Sequence, residues 1–472
     1  MSRTLNVRNP RNGELDYTIE AANEAAIQSK AIKLRDAQKT WRQFSLEDRA
    51  SKLKDFARLV GQHKDEISAA LEIDTGRRKI AALEVDTLVG TIMGWTAQTD
   101  GLIPTGWTQG RSNPAIQHAP QLIPYALVGV ISPWNFPLVL SMIDTVPALL
   151  AGCSVMIKPS EVTPRFADVM SSVIAQSPLA DILCFVQGDG QTGAALIENV
   201  DAICFTGSVA TGRKVAIAAA TNMIPAFLEL GGKDPLIVLE DSNLEHATDA
   251  ALRGSTLATG QACQSIERVY VQNSILEEFT TLLATKANAA KLNWPEISSG
   301  HIGPIIFDKQ AAILTSHIED AVAKGAKVLS GGKVENHGGG LWLNPTVLTN
   351  VNHSMKVMVD ETFGPIIPVM GFDTKEEAVS MANDSEYGLS AAVFAGNLKD
   401  ATALGMQIEA GAISINDAAL TSLFHEAEKH SFKLSGMGGS RMGPVGFQRF
   451  LRRKALIANT GAPAPLSVFS ED

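Results

Sequence analysis

The sequence is poor in cysteine, in long apolar runs and in charge of one sign. Only four cysteines occur in 472 residues, Cys153, Cys184, Cys204 and Cys263. They stand singly, with no CxxC pair and no Cys/His cluster, so neither a disulfide framework nor a metal site is indicated. No stretch of about 18 apolar residues is present to span a bilayer. The start, MSRTLNVRNPRNGELDYTI, lacks a charged-then-apolar leader, so the chain reads as reduced and cytoplasmic. Its formal net charge of -10 is spread over interleaved acidic and basic residues. That leaves no electrostatic footprint for nucleic acid or an anionic membrane, and a small-molecule partner is expected.

What remains is the composition of an ordinary globular enzyme, with 45% apolar and 19% charged residues. At this length at least two domains are expected. From about Thr18 to Asp74 apolar residues recur at three- and four-residue spacing, which predicts amphipathic helices. After Pro114 short strand-like runs (ALVGVIS, SVMIKPS, ILCFVQ, AICFTG, AFLEL) alternate with helical segments, predicting βαβ units and a mostly parallel sheet. A second such series begins near Pro235. Two α/β domains in tandem fit this pattern better than one large sheet. The terminal FQRFLRRKALIANTG predicts a strand that pairs with another subunit.

Several short stretches carry chemistry. In LELGGKDPLIV, residues 228–238, Glu229 sits at a Gly-Gly turn between two strand-like runs, and a carboxylate at the end of a buried strand needs a partner or a task. In FTGSVATG, residues 205–212, a strand ends at Gly207 and Ser208 and a helix is expected after Gly212. Such a junction offers backbone N–H groups to a diphosphate, or is simply a tight turn. Lys158 and Glu161 of MIKPSEVTP lie just past a strand end, where they suit the hydroxyls of a ribose. A solvated loop with a helix cap at Ser160 or Thr163 is the alternative. Cys263, approached through Gly-Gln-Ala, is the one cysteine whose surroundings give access, which a reactive thiolate needs. The other three fit small buried hydrophobes. Asn135 of SPWNFPLVL is placed either to donate to an oxyanion or to cap the following helix.

Together PWNFPL, KPSE, FTGSVATG, ELGGK, GQAC and ETFGPIIPV resemble, in order and rough spacing, the aldehyde dehydrogenase superfamily. The likeness runs from the N-terminal helices to SFKLSGMGGSRMGPVGF. It implies an α/β fold with a Rossmann-like cofactor domain at residues 1–106 and 125–234, a catalytic domain at 235–446, and small oligomerisation strands at 107–124 and 447–472. It also implies oxidation of an aldehyde to a carboxylic acid with NAD. Cys263 is then the nucleophile, Asn135 the oxyanion donor and Glu229 the base that activates the hydrolytic water. Trp134, Lys158, Ser160, Glu161, Gly207, Ser208, Glu361 and Phe363 hold the cofactor. A carboxylate at Glu161 beside the ribose tilts the choice toward NAD, with NADP possible. Leu140, Ile143, Ala262 and Gln264 are candidates to touch the substrate, an uncharged aliphatic or aromatic aldehyde. Arg268 and the loop 421–432 could add to that wall, where His425 and His430 read as rim residues without a metal. A homodimer or homotetramer is expected.

Two positions depart from the family pattern. Where many members carry a lysine nine residues after the asparagine and a glutamate in the C-terminal motif, this chain has Asp144 and Ser440. Asp144 is expected either to pair with Arg441 or to pass protons from Glu229. The competing functions are a CoA-acylating enzyme, which the presence of Glu229 argues against, and a non-catalytic binding protein on the same scaffold.

Overall fold

A computed structural model describes residues 3–424 and 426–471. The alternation after Pro114 becomes a six-stranded sheet in the order Gly436–Met437, Ala226–Glu229, Ala202–Thr206, Leu127–Ile131, Ser154–Lys158, Leu183–Phe185. All neighbours are parallel except the Gly436–Met437 edge. The three central strands are buried at every position, because helices lie on both faces and continuous apolar runs suit that environment. Val128 and Val130 pack into one helical layer, Leu127 and Ile131 into the other. The chain enters at the centre with Leu127–Ile131, moves outward to Leu183–Phe185, then crosses back to Ala202–Thr206. That reversal leaves a crevice at the carboxyl ends of the central strands, where α/β sheets bind ligands.

The second series forms a seven-stranded sheet, Lys327–Val328, Thr346–Thr349, Ile366–Phe372, Ile266–Gln272, Asp234–Val238, Ser390–Phe394, Ala412–Ile415. It is parallel except for its first pair. Asp234–Val238 and Ser390–Phe394 are buried at every position, and the central strands split between two apolar layers, with Ile237 and Tyr270 on one face and Leu236, Val238 and Val269 on the other. The architecture is therefore α/β with two mainly parallel sheets. Among the described residues no helix is long and apolar enough to cross a membrane.

Two expectations are corrected. The helical region does not begin at Thr18: Leu15–Ala21 is a strand paired with Arg3–Arg8, its alternating LDYTIEA suiting a pleated ribbon. The helix starts at Glu24, where the Asn23 side chain accepts from Ala26 N at 2.9 Å. The helix after FTGS runs Val209–Thr221 with Ser208 as its cap, so Gly212 lies inside it. A Cβ at Gly212 would meet Leu230 Cδ2 at 2.5 Å, so glycine there lets helix and strand approach. The terminal strand, Leu451–Asn459, pairs within its own chain, antiparallel to Ile116–Pro124. It lies at the edge of that three-stranded sheet.

Candidate active site

At the crevice lies a cavity of about 780 Å³. The carboxyl ends of the first sheet contribute Trp134, Asn135, Lys158, Ser160, Glu161, Gly207 and Ser208 to its wall. Cys263 and the pair Glu361 and Phe363 come from segments that precede the strands Ile266–Gln272 and Ile366–Phe372 of the second sheet. Residues more than 200 positions apart thus converge because the two sheets present opposite strand ends to one space.

The segment carrying Cys263 is held by its own backbone. Ala258 and Thr259 have φ of 55° and 63°, and Gly260 follows at 66°. A Cβ at Gly260 would lie 2.4 Å from the Gly364 carbonyl carbon, so only glycine lets this segment pass the one carrying Glu361 and Phe363. The buried Arg77 guanidinium donates to the carbonyls of both Ala258 and Asn135. Asn135 Nδ2 in turn donates to Gln261 O at 3.0 Å. Glu84, whose carboxyl burial raises to about 7, accepts from Leu138 N and Val139 N at 3.0 and 3.1 Å. Asn135 therefore does not cap that helix; Glu84 does, which leaves the Asn135 amide beside the Cys263 segment.

Glu229 stands behind the cavity wall. Its Oε2 accepts from Ser431 Oγ at 2.9 Å and lies 3.7 Å from Lys429 Nζ. Burial alone would raise its carboxyl, but Lys429, Arg441 and the Ser431 hydroxyl hold it below the ordinary carboxylate value. Burial, and then the charges of Glu229 and Glu361, push the Cys263 thiol up to about 12. At rest it is a thiol. Burial also drives Cys153 and Cys204 well above the ordinary thiol range and Cys184 to about 11.

On the other side, Lys158 Nζ donates to Pro159 O and Gly188 O, both at 2.7 Å, and to Glu161 Oε2 at 3.3 Å. The Glu361 carboxylate accepts from Gly232 N at 3.1 Å and crosses Gly231 so closely that a Cβ there would meet Oε2 at 2.4 Å. Trp134 and Phe363 meet edge to face at 5.3 Å. A cavity of this size whose wall carries a carboxylate and ammonium at a strand end, a Gly-Ser helix start, an aromatic pair and a thiol fits a dinucleotide.

Leu140, Ile143, Ala262 and Gln264 do not line this cavity. All four are half-buried, and Gln264 Oε1 accepts from Thr421 Oγ1 at 2.6 Å. Arg268 belongs to no substrate wall: it is 1% exposed, donating to the carbonyls of Lys233, Met381, Ala382 and Asp384. His430 is exposed and donates to Gly438 O, while His425 lies outside the described residues. Asp144 receives Arg441 Nη2 at 2.9 Å and also binds Arg449. Ser440 Oγ accepts from Lys429 N and Met442 N. Sequence reading missed Arg77, Glu84, Lys233, Glu267, Lys429 and Ser431. A charged residue among the apolar positions of a helix face, as at Glu84 beside Ala81, Val85 and Leu88, was the one signal available for any of them.

The sequence pattern of the aldehyde dehydrogenase family matches residues 1–456. A Mycolicibacterium smegmatis protein provisionally named succinate-semialdehyde dehydrogenase, NADP(+), is 34% identical over 94% of this chain and 86% of its own. The structure of a provisionally named aldehyde dehydrogenase from Anabaena variabilis is 52% identical, covers 99% of this chain and 100% of that one, and superposes with a TM-score of 0.96. Betaine aldehyde dehydrogenase from Staphylococcus aureus in complex with NAD+ is 30% identical over 99% of this chain and 94% of its own, with a TM-score of 0.92. The chain belongs to the aldehyde dehydrogenase family, and the reaction of this site is the oxidation of an aldehyde.

Proposed function

We propose that the chain oxidises an uncharged aldehyde to a carboxylic acid with Cys263 as nucleophile, Asn135 as oxyanion donor and Glu229 as the base of the hydrolytic step. The observation that carries this reading is the shared wall of Cys263 and Asn135 beside a cavity shaped for a dinucleotide. Sγ attacks the aldehyde carbon, and the Asn135 Nδ2–H faces the oxygen on which charge develops. A nicotinamide dinucleotide bound in the cavity would supply the acceptor for the hydride whose loss from the thiohemiacetal leaves an acyl thioester on Cys263. Glu229, ionised at neutral pH, then takes a proton from the water that attacks the thioester. Lys158 and Glu161 would hold the adenosine ribose, Gly207 and Ser208 the diphosphate, Glu361 and Phe363 the nicotinamide end, with Trp134 and Ser160 lining the wall.

NAD is the preferred cofactor on this reading, because the Glu161 carboxylate opposes a 2′-phosphate. Residues 1–106 and 125–234 form the cofactor part, 235–446 the catalytic part, and 107–124 with 447–472 the assembly strands of a cytoplasmic homo-oligomer. The outward edge strand favours assembly, since Ile457 is 71% exposed on it. The test is NADH formation over a panel of aliphatic, aromatic and carboxylated aldehydes, with and without CoA. Acid formed without CoA, and lost in Cys263→Ala and Glu229→Gln, is the expected result. A thioester product would make the enzyme CoA-acylating, and no turnover despite NAD binding would make it a binding protein.

A further inference from the structure

Lys429 is a buried cation in an exposed segment. Its described neighbours Glu426, Ala427, Glu428 and His430 face solvent, yet Lys429 is 6% exposed. Its Nζ finds no hydrogen-bond partner among the described residues and lies 3.7 Å from Glu229 Oε2. An ammonium held out of water without a hydrogen bond is costly, so its place needs a reason. The backbone fixes it there: Lys429 N donates to Ser440 Oγ at 3.1 Å, and Ser440 Oγ donates to Met442 O at 3.0 Å. Two residues on, Ser431 Oγ donates to the same Glu229 oxygen. One segment thus delivers an ammonium and a hydroxyl to a single carboxylate, and the gap of 3.7 Å leaves the ammonium protons uncommitted.

We propose that Lys429 is a positioning residue for the hydrolytic step, its ammonium keeping the Glu229 carboxylate ionised and aimed at the attacking water. The inference rests on Glu229 being the base. In that step the water oxygen bonds to the thioester carbon, the carbon–sulfur bond breaks with its electron pair passing to Sγ, and one water proton passes to Glu229. The Lys429 ammonium opposes protonation of Glu229 before the attack and takes no part in the proton transfer. Four other groups bear on Glu229. Arg441 shares its charge with Asp144, which opposes it, and Ser431 donates a neutral hydrogen bond. The Cys263 thiol is coupled to the carboxylate by charge, which raises the thiol. Lys429 is the cation whose only carboxylate partner among the described residues is Glu229.

The test compares wild type, Lys429→Met, Lys429→Arg and Glu229→Gln in kcat against pH and in the pre-steady-state burst of NADH, with one uncharged and one carboxylated aldehyde. Lys429→Met is expected to keep the burst while the acid limb of kcat moves up by about 1–3 pH units, the effect of removing one close opposite charge. Lys429→Arg should return the limb toward wild type. An unmoved limb in Lys429→Met, or equal losses in the Met and Arg variants, would overturn the proposal in favour of a packing role. A rise in KM confined to the carboxylated aldehyde, with kcat and its profile unchanged, would overturn it too and make Lys429 a substrate anchor. Full turnover in Glu229→Gln would instead remove the base assignment, and the inference with it.

Discussion

Lys233 Nζ and Glu267 Oε2 lie 2.7 Å apart with both side chains almost wholly out of water. Lys233 also donates to Thr362 Oγ1 at 2.9 Å, and Glu267 accepts from Thr362 N and Phe363 N at 2.7 and 2.8 Å. The pair therefore ties the Gly-Gly turn after Glu229 to the strand after Cys263 and to the segment bearing Glu361. Each of these three segments carries a site residue, so the pair sets their spacing.

Removing one partner strands a buried charge, which costs about 3–5 kcal/mol. Lys233→Met should lower the urea midpoint by that equivalent. The double variant Lys233→Met/Glu267→Leu should recover much of the loss, because no unpaired charge remains. Equal stability in the single variant and wild type would show that the pair is not holding the segments together.

Much of this could be read from the chain, and the part that could not has a common cause. The parallel strands were legible because burial on both faces demands unbroken apolar runs such as ALVGVIS and AICFTG. Cys263, Asn135 and Glu229 stood out as candidates because each sits in a short motif beside a strand end, and the fold brings Cys263 and Asn135 to one wall. Lys429, Glu267 and Arg77 were not, since their roles come from contacts of 34 to 200 positions in sequence separation. Lys429 lies in HEAEKHSF, whose composition reads as solvated surface; only the fold turns that one side chain inward. The hairpin Arg3–Arg8 with Leu15–Ala21 was missed because a two-stranded ribbon carries too few apolar positions to compete with the helical periodicity that follows it.

The Cys263 thiol, pushed up to about 12, makes a prediction for the enzyme without cofactor. Alkylation of Cys263 by iodoacetamide should be slow at pH 7 and rise about tenfold per pH unit through pH 10, following the thiolate fraction. Because the Glu229 carboxylate disfavours that thiolate, Glu229→Gln should be alkylated faster than wild type at every pH below 10. Slower alkylation in the variant would instead show Glu229 acting as the base that deprotonates the resting thiol. Peptide mapping separates this signal from that of Cys184, which is half-buried like Cys263, and from the buried Cys153 and Cys204.

Glu161 makes a prediction about cofactor choice. Its side chain is 43% exposed and pairs with the buried Lys158, whose ammonium also donates to Pro159 O and Gly188 O and so stays hydrogen-bonded in Glu161→Gln. Glu161→Gln should lower the ratio of kcat/KM for NAD over NADP by about tenfold, a change of 1.4 kcal/mol. The gain should come from the NADP side, as lost repulsion. A ratio unchanged in Glu161→Gln would place the 2′-position away from this carboxylate.

Asp144 differs from Lys429 in what its charge faces. Both of its oxygens are taken by guanidinium groups, Arg441 at Oδ2 and Arg449 at Oδ1. Burial alone would raise its carboxyl, but the two cations hold it below the ordinary carboxylate value. A depressed pKa means that this stabilisation is fully present above the unfolded value and is lost as pH falls through the folded one. Asp144→Asn should therefore melt below wild type at pH 7, with the difference shrinking at acid pH. The effect on catalysis has the opposite sign to that of Lys429→Met. Asp144 raises the Glu229 pKa while Arg441 lowers it, so removing the anion leaves Glu229 facing cations alone. The acid limb of kcat should then stay or move to lower pH. Measured on one pH series, an upward shift in Asp144→Asn would mean that Asp144 itself passes protons from Glu229; a loss of stability with no upward shift would mean that it anchors the C-terminal segment through its two arginines.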